Sequence, residues 1–366
     1  MVNPLPNELL AAVFENLRSD ALLQVVCVSR RFHAVGERTL YANVAIAEAV
    51  PRSAPVPRKT VTFCTTLLAH PHLAEGTRKL AVRWHTDAGP REPYLAPLEP
   101  VLALLNRALR LLRALDALEL ALGLSGGPLT SRGILAGCAF PALRTFALSG
   151  VGRGAPPHKT HAAPSPPVEW FLAAVPTLTH LRLGDCHEGL ALPPGALPAL
   201  RAFRGSAPTA ASVLPGRPVA VLALVGHEFV TERDLAALAR SSVRVRVLDL
   251  SAMSVTPLLL RDISRHLSGV AHLKVRLALR HTLHHALSGI SLLVGLTSVL
   301  GAFPELSQLD LSPTALDGVG TSNAADEATL CASWGGGCAS LRHIVFPSGT
   351  EWARRADARW APVPRT

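Results

Sequence analysis

The first 46 residues carry a dense pattern of apolar positions that predicts three short helices. Apolar residues recur at helical spacing and form one stripe on the first predicted helix: Leu9, Leu10, Val13, Phe14 and Leu17. Pro6 fits the first turn of this helix, where its missing N–H has no intrahelical partner. Ser19 is the predicted N-cap of a second helix over residues 20–27. A third helix is predicted over residues 29–40.

This segment holds more large apolar side chains than its length can bury. About 40 residues seldom form a core large enough to cover so many aliphatic and aromatic groups without help. The excess therefore predicts a docking module whose apolar stripe meets a partner. The simpler alternative is a three-helix start to an ordinary globular body.

Two sequence blocks in this segment carry a family resemblance. They read Leu5-Pro6-x-Glu8-Leu9-Leu10-x-x-Val13-Phe14-x-x-Leu17 and Val26-Cys27-x-Ser29-Arg30-x-Phe32. Together they resemble an F-box, the module by which substrate receptors of cullin-based ubiquitin ligases bind a Skp-type adaptor. Phe32 stands where many F-boxes carry tryptophan. We expect this departure to weaken docking without abolishing it, because both rings bury a large aromatic face.

Further blocks resemble F-box proteins of mushroom-forming fungi. They are Arg38-Thr-Leu-Tyr41-x-x-Val44, Phe63-Cys64-x-Thr-Leu67-Leu68-Ala-His70-Pro71-His72-Leu73 and Lys79-Leu80-Ala-Val82. The resemblance covers about the first 84 residues in detail. It implies a Skp-type adaptor as partner and, through that adaptor, a cullin. The adaptor-binding residues that it implies are Leu5, Pro6, Leu9, Val13, Phe14, Leu17, Val26 and Phe32.

The rest of the chain repeats a short motif of the form Leu-x-x-Leu-x-Leu. Clear copies begin at Leu115, Leu143, Leu178, Val245, Leu306 and Leu341, with weaker copies at Leu200, Val219 and Leu277, and the motif recurs every 19 to 35 residues. A strand signature at this period is typical of leucine-rich repeats. Positions 1, 4 and 6 of each strand are predicted to be buried, and positions 3 and 5 to be exposed. Stacked copies then form a parallel sheet.

Helical segments are predicted between these strands, as the repeat requires. They cover residues 100–112, 168–174, 235–240, 258–266 and 324–334, with caps at Thr231 and Thr256. The predicted fold class is therefore α/β: an N-terminal three-helix F-box, then an irregular leucine-rich-repeat-like solenoid with a parallel sheet. The predicted domains are an F-box over 1–48, a connecting segment over 49–75, a repeat body over 76–350 and a C-terminal tail over 351–366.

Composition and charge restrict the class of protein. The chain is 49% hydrophobic and 17% charged, which argues against general disorder. The N-terminus lacks the basic region and apolar run of a signal peptide, and the six cysteines show no Cys-x-x-Cys spacing, so we expect a cytoplasmic or nuclear protein. The uncharged stretch 286–303 is interpreted as a buried repeat helix, not a membrane span.

The net charge of +10 comes mostly from arginine, since only four of the 36 basic residues are lysines. The arginines are spread along the sequence without interleaved aromatic residues, which disfavours a nucleic-acid partner. A codon preference for arginine gives the same count. Few lysines would also give a ligase receptor few sites for self-ubiquitination.

Three catalytic look-alikes lack an essential part. Gly123-Leu-Ser125-Gly-Gly127 matches a hydrolase nucleophile elbow, but Pro128 prevents the helix that must follow. His281 and His284-His285 have metal-site spacing, but the glutamate of a zinc protease is absent. Gly150-Val-Gly152-Arg-Gly154 is followed by prolines where a dinucleotide-binding helix should begin. We therefore predict no catalytic residue, no metal site and no cofactor.

The sequence thus predicts a non-enzymatic substrate receptor of an SCF-type cullin ubiquitin ligase. Its F-box docks on the adaptor, and its repeat body holds an unknown protein target. The candidate target contacts are exposed strand positions: His180, Arg182, Arg204 and His343. The alternative is a leucine-rich-repeat interaction scaffold with a degenerate F-box that recruits no ligase.

Overall fold

The structure is a computed structural model that describes residues 5–89, 92–124, 134–150, 168–226, 230–278, 293, 295–315 and 324–364. The chain divides into two compact units. Unit 1 comprises residues 1–185 and 192–197, and unit 2 comprises residues 186–191 and 198–366. The fold class is α/β, as predicted, with three N-terminal helices followed by a leucine-rich-repeat-like succession of parallel strands.

Three helices open unit 1: α1 (Asn7–Glu15), α2 (Ser19–Val25) and α3 (Arg30–Ala42). Pro6 lies at the N-cap position of α1, and the Ser29 hydroxyl caps α3 by accepting a hydrogen bond from the Phe32 amide at 3.1 Å. The predicted cap of α2 is wrong by one residue. Arg18 occupies the N-cap position, and Ser19 is the first helical residue.

Five parallel strands follow in unit 1, and each pairs with its neighbour in chain order. They are β1 (Asn43–Val50), β2 (Lys79–Thr86), β3 (Ala117–Ala121), β4 (Thr145–Ser149) and β5 (His180–Leu183). Helices α4 (Arg58–Ala69), α5 (His72–Gly76), α6 (Glu92–Leu109) and α7 (Val168–Ala173) lie between them in the sequence. The motif leucines of β3, Leu118 and Leu120, are buried, as the repeat pattern predicted.

The predicted connecting segment, residues 49–75, is largely helical. It contains the end of β1, all of α4 and most of α5, and Cys64 and Leu67 in α4 are fully buried. The Glu48 carboxylate of β1 accepts hydrogen bonds from the Lys59 amide (2.9 Å) and the Thr60 amide (3.0 Å). These bonds satisfy free N–H groups at the start of α4, so a residue of the sheet caps this helix.

Unit 2 contains six further parallel strands, again paired in chain order. They are β6 (Ala202–Gly205), β7 (Val221–Val225), β8 (Val247–Val255), β9 (His272–Leu277), β10 (Gln308–Asp310) and β11 (His343–Val345). Its helices are α8 (Ala207–Val213), α9 (Glu232–Leu238), α10 (Pro257–His266), α11 (Thr297–Leu300) and α12 (Ala324–Gly337). The predicted caps are confirmed: Thr231 and Asp234 form a capping box at α9, and the Thr256 hydroxyl caps α10.

The predicted C-terminal tail, residues 351–366, contains two strands among its described residues. Strands β12 (Glu351–Arg354) and β13 (Trp360–Pro362) pair antiparallel, and β12 pairs antiparallel with β11. Trp352 is buried. The end of unit 2 is therefore part of its sheet.

Several sequence predictions fall partly or wholly outside the described residues. They are the loop 150–167, beyond Gly150, and eight of the 18 residues of the uncharged stretch 286–303. Of that stretch the structure describes Leu293 and residues 295–303, where Leu296, Val299, Leu300 and Phe303 are buried. Among the described residues, no helix has the length and apolar character needed to cross a membrane.

Candidate functional site

Exposed apolar side chains are concentrated at the start of the chain. In the described part of the chain, eleven large apolar side chains are exposed, and five of them lie between residues 5 and 28. Leu5, Leu9 and Val13 are 54%, 52% and 52% exposed and recur every four residues, so they follow one side of α1. Leu23 and Val28 are also exposed. We call these five side chains the apolar surface.

The structure separates the eight predicted adaptor-binding residues into two groups. Leu5, Pro6, Leu9 and Val13 are exposed. Phe14 is only 3% exposed and belongs to the core of the three helices, together with Leu10, Leu22 and Val35. Leu17, Val26 and Phe32 are half-buried against that core, and the Phe32 ring meets the Phe14 ring edge-on at 5.5 Å between centroids. The side chain of Phe14 is therefore occupied within the domain, and its contact with an adaptor stays a prediction.

Two contacts explain how the three helices stay together despite their small core. Arg31 of α3 donates from Nε to the Asn7 side-chain oxygen at 2.8 Å and from Nη2 to the Leu5 carbonyl oxygen. It thereby fixes the residues that precede and begin α1. Gly36 of α3 lies so close to Val26 that an added Cβ would be 2.3 Å from Val26 Cγ1. Glycine at this position permits the close approach of α3.

The three helices are joined to the sheet without a flexible connection. Helix α3 ends at Ala42, and β1 begins at Asn43. The Tyr41 ring stacks on Phe63 of α4, with centroids 6.5 Å apart, and Glu37 lies 3.7 Å from His72 of α5. The apolar surface is therefore held at a defined orientation relative to the strands of unit 1.

Comparison with known proteins agrees with this geometry. Residues 2–47 match the F-box-like family. The match covers the three helices and the first part of β1, and the rest of the chain lies outside it. No curated protein is similar to the chain in sequence.

Two solved structures are similar to the chain at low identity. Internalin C2 of Listeria monocytogenes is 16% identical, with 65% of this chain and 74% of that chain covered and a TM-score of 0.28. A structure of the yeast Rad7 and Elc1 complex contains a chain that is 10% identical, with 92% of this chain and 87% of that chain covered and a TM-score of 0.39.

Leu23 and Val28 of the F-box-like domain were missed by the sequence analysis. Leu23 lies in α2, and Val28 precedes the capping residue of α3. A signal was present, because Leu22 and Leu23 are adjacent in a short helix and only one of two adjacent residues can face a small core. Leu22 is the buried residue of this pair.

The four predicted target contacts do not form one site. His180 and Arg182 lie on β5 in unit 1 and are exposed. Arg204 and His343 lie in unit 2 on β6 and β11, which are five strands apart, and both are half-buried. At about 4.8 Å per strand, these two are separated by more than 20 Å. Arg204 is 3.9 Å from Asp249, and His343 is 3.5 Å from Glu351.

No metal-binding group is present among the described residues. A cluster of three or more histidine, cysteine or acidic side chains with suitable geometry is absent from that part of the chain. Of the catalytic look-alikes, Ser125, His281, His284 and His285 lie outside the described residues, as do Gly152 and Gly154. The absence of an enzymatic activity stays a prediction.

The cysteines differ in burial, so their reactivity tests the described packing. Burial raises the pKa of Cys64 to about 12 and that of Cys138 to about 11, and burial together with Glu327 raises the pKa of Cys331 to about 12. Cys27 is exposed in the turn between α2 and α3. Because the thiolate is the reactive form, iodoacetamide should alkylate Cys27 in the native protein at least about tenfold faster than Cys64 or Cys331. Mass spectrometry of digested protein after timed exposure measures this ratio, and equal rates would contradict the described packing.

Proposed function

We propose that the chain is a non-enzymatic substrate receptor of an SCF-type cullin ubiquitin ligase, acting in the cytoplasm or nucleus. The F-box-like domain docks on a Skp-type adaptor, which connects it to a cullin, and the leucine-rich-repeat-like body holds a protein target. The sequence resemblance to F-box proteins of mushroom-forming fungi supports this assignment, as does the family match over residues 2–47.

The apolar surface is the observation that carries the proposal. A soluble domain rarely leaves several large aliphatic side chains exposed next to one another along a helix unless a partner covers them. Burial of one such side chain contributes about 1.5–3 kcal/mol to association. Leu5, Leu9 and Val13 together therefore provide enough apolar area for a stable contact, and the Arg31 hydrogen bonds hold Leu5 in place beforehand.

The direct coupling of α3 to β1 supports a positioning role. A receptor works by keeping its target at high local concentration near the ligase machinery. A continuous helix-to-strand connection restricts the distance and orientation between the docked adaptor and the strands of unit 1. A long flexible linker would provide less restriction.

Co-purification with a Skp-type adaptor tests the proposal. The variant Leu9→Asp/Val13→Asp places two charges on the apolar surface and should bind the adaptor roughly a hundredfold more weakly, because two buried aliphatic contacts are replaced by desolvated carboxylates. Leu258→Asp is the control, since Leu258 is also an exposed leucine but lies on α10 in unit 2. It should bind the adaptor like the unchanged chain.

Two outcomes contradict the proposal. One is the absence of adaptor binding by the unchanged chain, and the other is equal adaptor recovery with both variants. The first result would favour the scaffold with a degenerate F-box, and the second would place any adaptor contact outside the apolar surface. Circular dichroism of each variant checks that the helices remain folded.

A further inference from the structure

The arginines of unit 2 recur at a structurally equivalent place, although they are far apart in the sequence. We call the residue immediately before each parallel strand the pre-strand position. The pre-strand residues are joined by backbone hydrogen bonds: the Ala220 amide donates to Arg201 (2.9 Å), and the Arg246 amide donates to Ala220 (2.8 Å). Arginine occupies this position before β6, β8 and β11, as Arg201, Arg246 and Arg342, and all three are exposed.

Two of these arginines border an open depression at this edge of unit 2. It is lined by Arg201, Pro218, Ala220, Val243, Arg244 and Arg246. Pro218, Ala220 and Val243 give it an apolar floor, and Val243 is one of the exposed large apolar side chains. Three arginines complete the lining. Among the described residues, the lining therefore combines apolar area with positive charge and includes no acidic side chain.

Two arginines of this depression, Arg244 and Arg246, bind a carboxylate of the protein itself. Glu305 accepts from Arg244 at 2.8 Å through Oε1 and from Arg246 through Oε2. Hydrogen bonds from Arg246 and then from Arg244 keep the pKa of the Glu305 carboxyl below its usual value. Among the described residues, Arg201 has no ion-pair partner. The depression thus keeps two positive charges in excess after Glu305 is counted.

Several other charged groups of the two units are paired within their own unit. On the exposed strand face of unit 2, Lys274 lies 2.8 Å from Asp310. On that of unit 1, Arg83 binds Glu119 through two hydrogen bonds of 2.7 Å. A similar depression in unit 1 contains Asp116 between its arginines. That depression therefore keeps one positive charge in excess, whereas the depression at Arg201 keeps two.

We propose that this depression binds an acidic peptide segment with apolar side chains between its carboxylates. The arginines would hold carboxylates through charge-assisted hydrogen bonds, and Val243 would contact an apolar side chain. That such a segment belongs to the protein target rests on the proposed function. The peptide-binding site itself does not depend on the proposed function.

The spacing of the arginines indicates a conformation for the bound segment. Arg201 and Arg246 are two strands apart, which corresponds to about 10 Å. In a polyproline II segment, side chains three residues apart lie on the same side at about 9 Å. A peptide with a glutamate at every third position therefore matches the two arginines. A nucleic acid is disfavoured, because the lining offers no aromatic ring on which bases could stack.

Fluorescence anisotropy tests the proposal with a labelled peptide of repeated Glu-Leu-Pro and the purified full chain. The unchanged chain should bind this peptide, and the same peptide with glutamine in place of glutamate should bind at least about tenfold more weakly. Arg201→Glu should weaken binding of the acidic peptide by at least about tenfold, and Val243→Ser by a smaller factor. Arg233→Glu, at an exposed position on α9, makes the same charge change elsewhere and should bind normally.

Three results would overturn the proposal. They are equal binding of the glutamate and glutamine peptides, equal weakening by Arg201→Glu and Arg233→Glu, and tighter binding of a labelled duplex DNA that depends on Arg201. The last would indicate a nucleic-acid surface. Adaptor recovery with Arg201→Glu should equal that of the unchanged chain. A failure of the peptide-binding experiment would therefore leave the proposed adaptor docking unaffected. A failure of adaptor docking would likewise leave the proposed peptide site unaffected. A thermal melt of each variant identifies any loss of fold.

Discussion

Replacement of Phe14 by alanine is expected to unfold the F-box-like domain while the strands of unit 1 stay folded. Phe14 is buried among Leu10, Leu22 and Val35 and packs edge-on against Phe32. Loss of a buried phenylalanine typically costs about 3–5 kcal/mol. A three-helix segment of this size has little stability to spare, so this loss is a large share of the free energy that keeps it folded.

Hydrogen exchange measured residue by residue tests this expectation. In Phe14→Ala, amides of α1–α3 should lose protection while those of β2 to β4 keep it. Val13→Ala is the matched control: it changes the adjacent but exposed side chain, so α1–α3 should stay protected. Adaptor binding should fall in Phe14→Ala because the domain unfolds. If adaptor binding fell while protection stayed normal, Phe14 would be a contact residue, as the sequence analysis first interpreted it.

The helical stripe shows how much of this surface could be predicted. Spacing alone identified α1 and its apolar residues, and the structure confirms the helix. The stripe nevertheless contains two rows. Leu10, Phe14 and Leu17 face the core, whereas Leu9 and Val13 face outward with Leu5. Periodicity could not separate these rows, because residues one position apart differ by only about 100° around a helix and both rows are apolar.

The strands of the repeats were predictable for a local reason, and two connecting regions were not. Each strand carries its own alternation of buried and exposed positions, which can be read in a short window. Helix α4 lacks a capping side chain of its own, because Glu48 of β1 supplies the cap. In the sequence, the start of α4 resembles a linker because prolines precede it and its capping residue belongs to a strand. Strand β12 similarly depends on a buried contact with α12, which no short window contains.

The distribution of arginine also became interpretable only from the fold. Arg201 and Arg246 are 45 residues apart in the sequence and appeared unrelated. Irregular repeat lengths hide their equivalence, since the motif recurs at intervals from 19 to 35 residues. Backbone pairing at the pre-strand position brings the two within two strands of each other. Strand pairing therefore brings these arginines close together, and their spacing in the sequence does not show this.

A large loss of stability in unit 2 is expected from Trp352→Ala. Trp352 of β12 is 5% exposed, and its indole Nε1 donates to Glu327 Oε2 of α12 at 2.8 Å. The other oxygen of this buried carboxylate accepts from the Ser348 hydroxyl at 2.7 Å. Removal of the indole opens a cavity, which costs about 3–5 kcal/mol. It also leaves a buried carboxylate with fewer donors, which adds about 1–3 kcal/mol.

Urea denaturation followed by circular dichroism measures this loss and can separate its two causes. Trp352→Phe keeps much of the buried volume but removes the donor, so it should cost less than Trp352→Ala by the cavity contribution. Trp170→Ala is the matched control, because Trp170 is 74% exposed and its removal should change the free energy of unfolding by less than about 0.5 kcal/mol. Equal midpoints for Trp352→Ala and Trp170→Ala would mean that residues 351–364 are a dispensable tail. A large difference would mean that β12 belongs to the core of unit 2, since Trp352 both fills space there and donates a hydrogen bond to the buried Glu327.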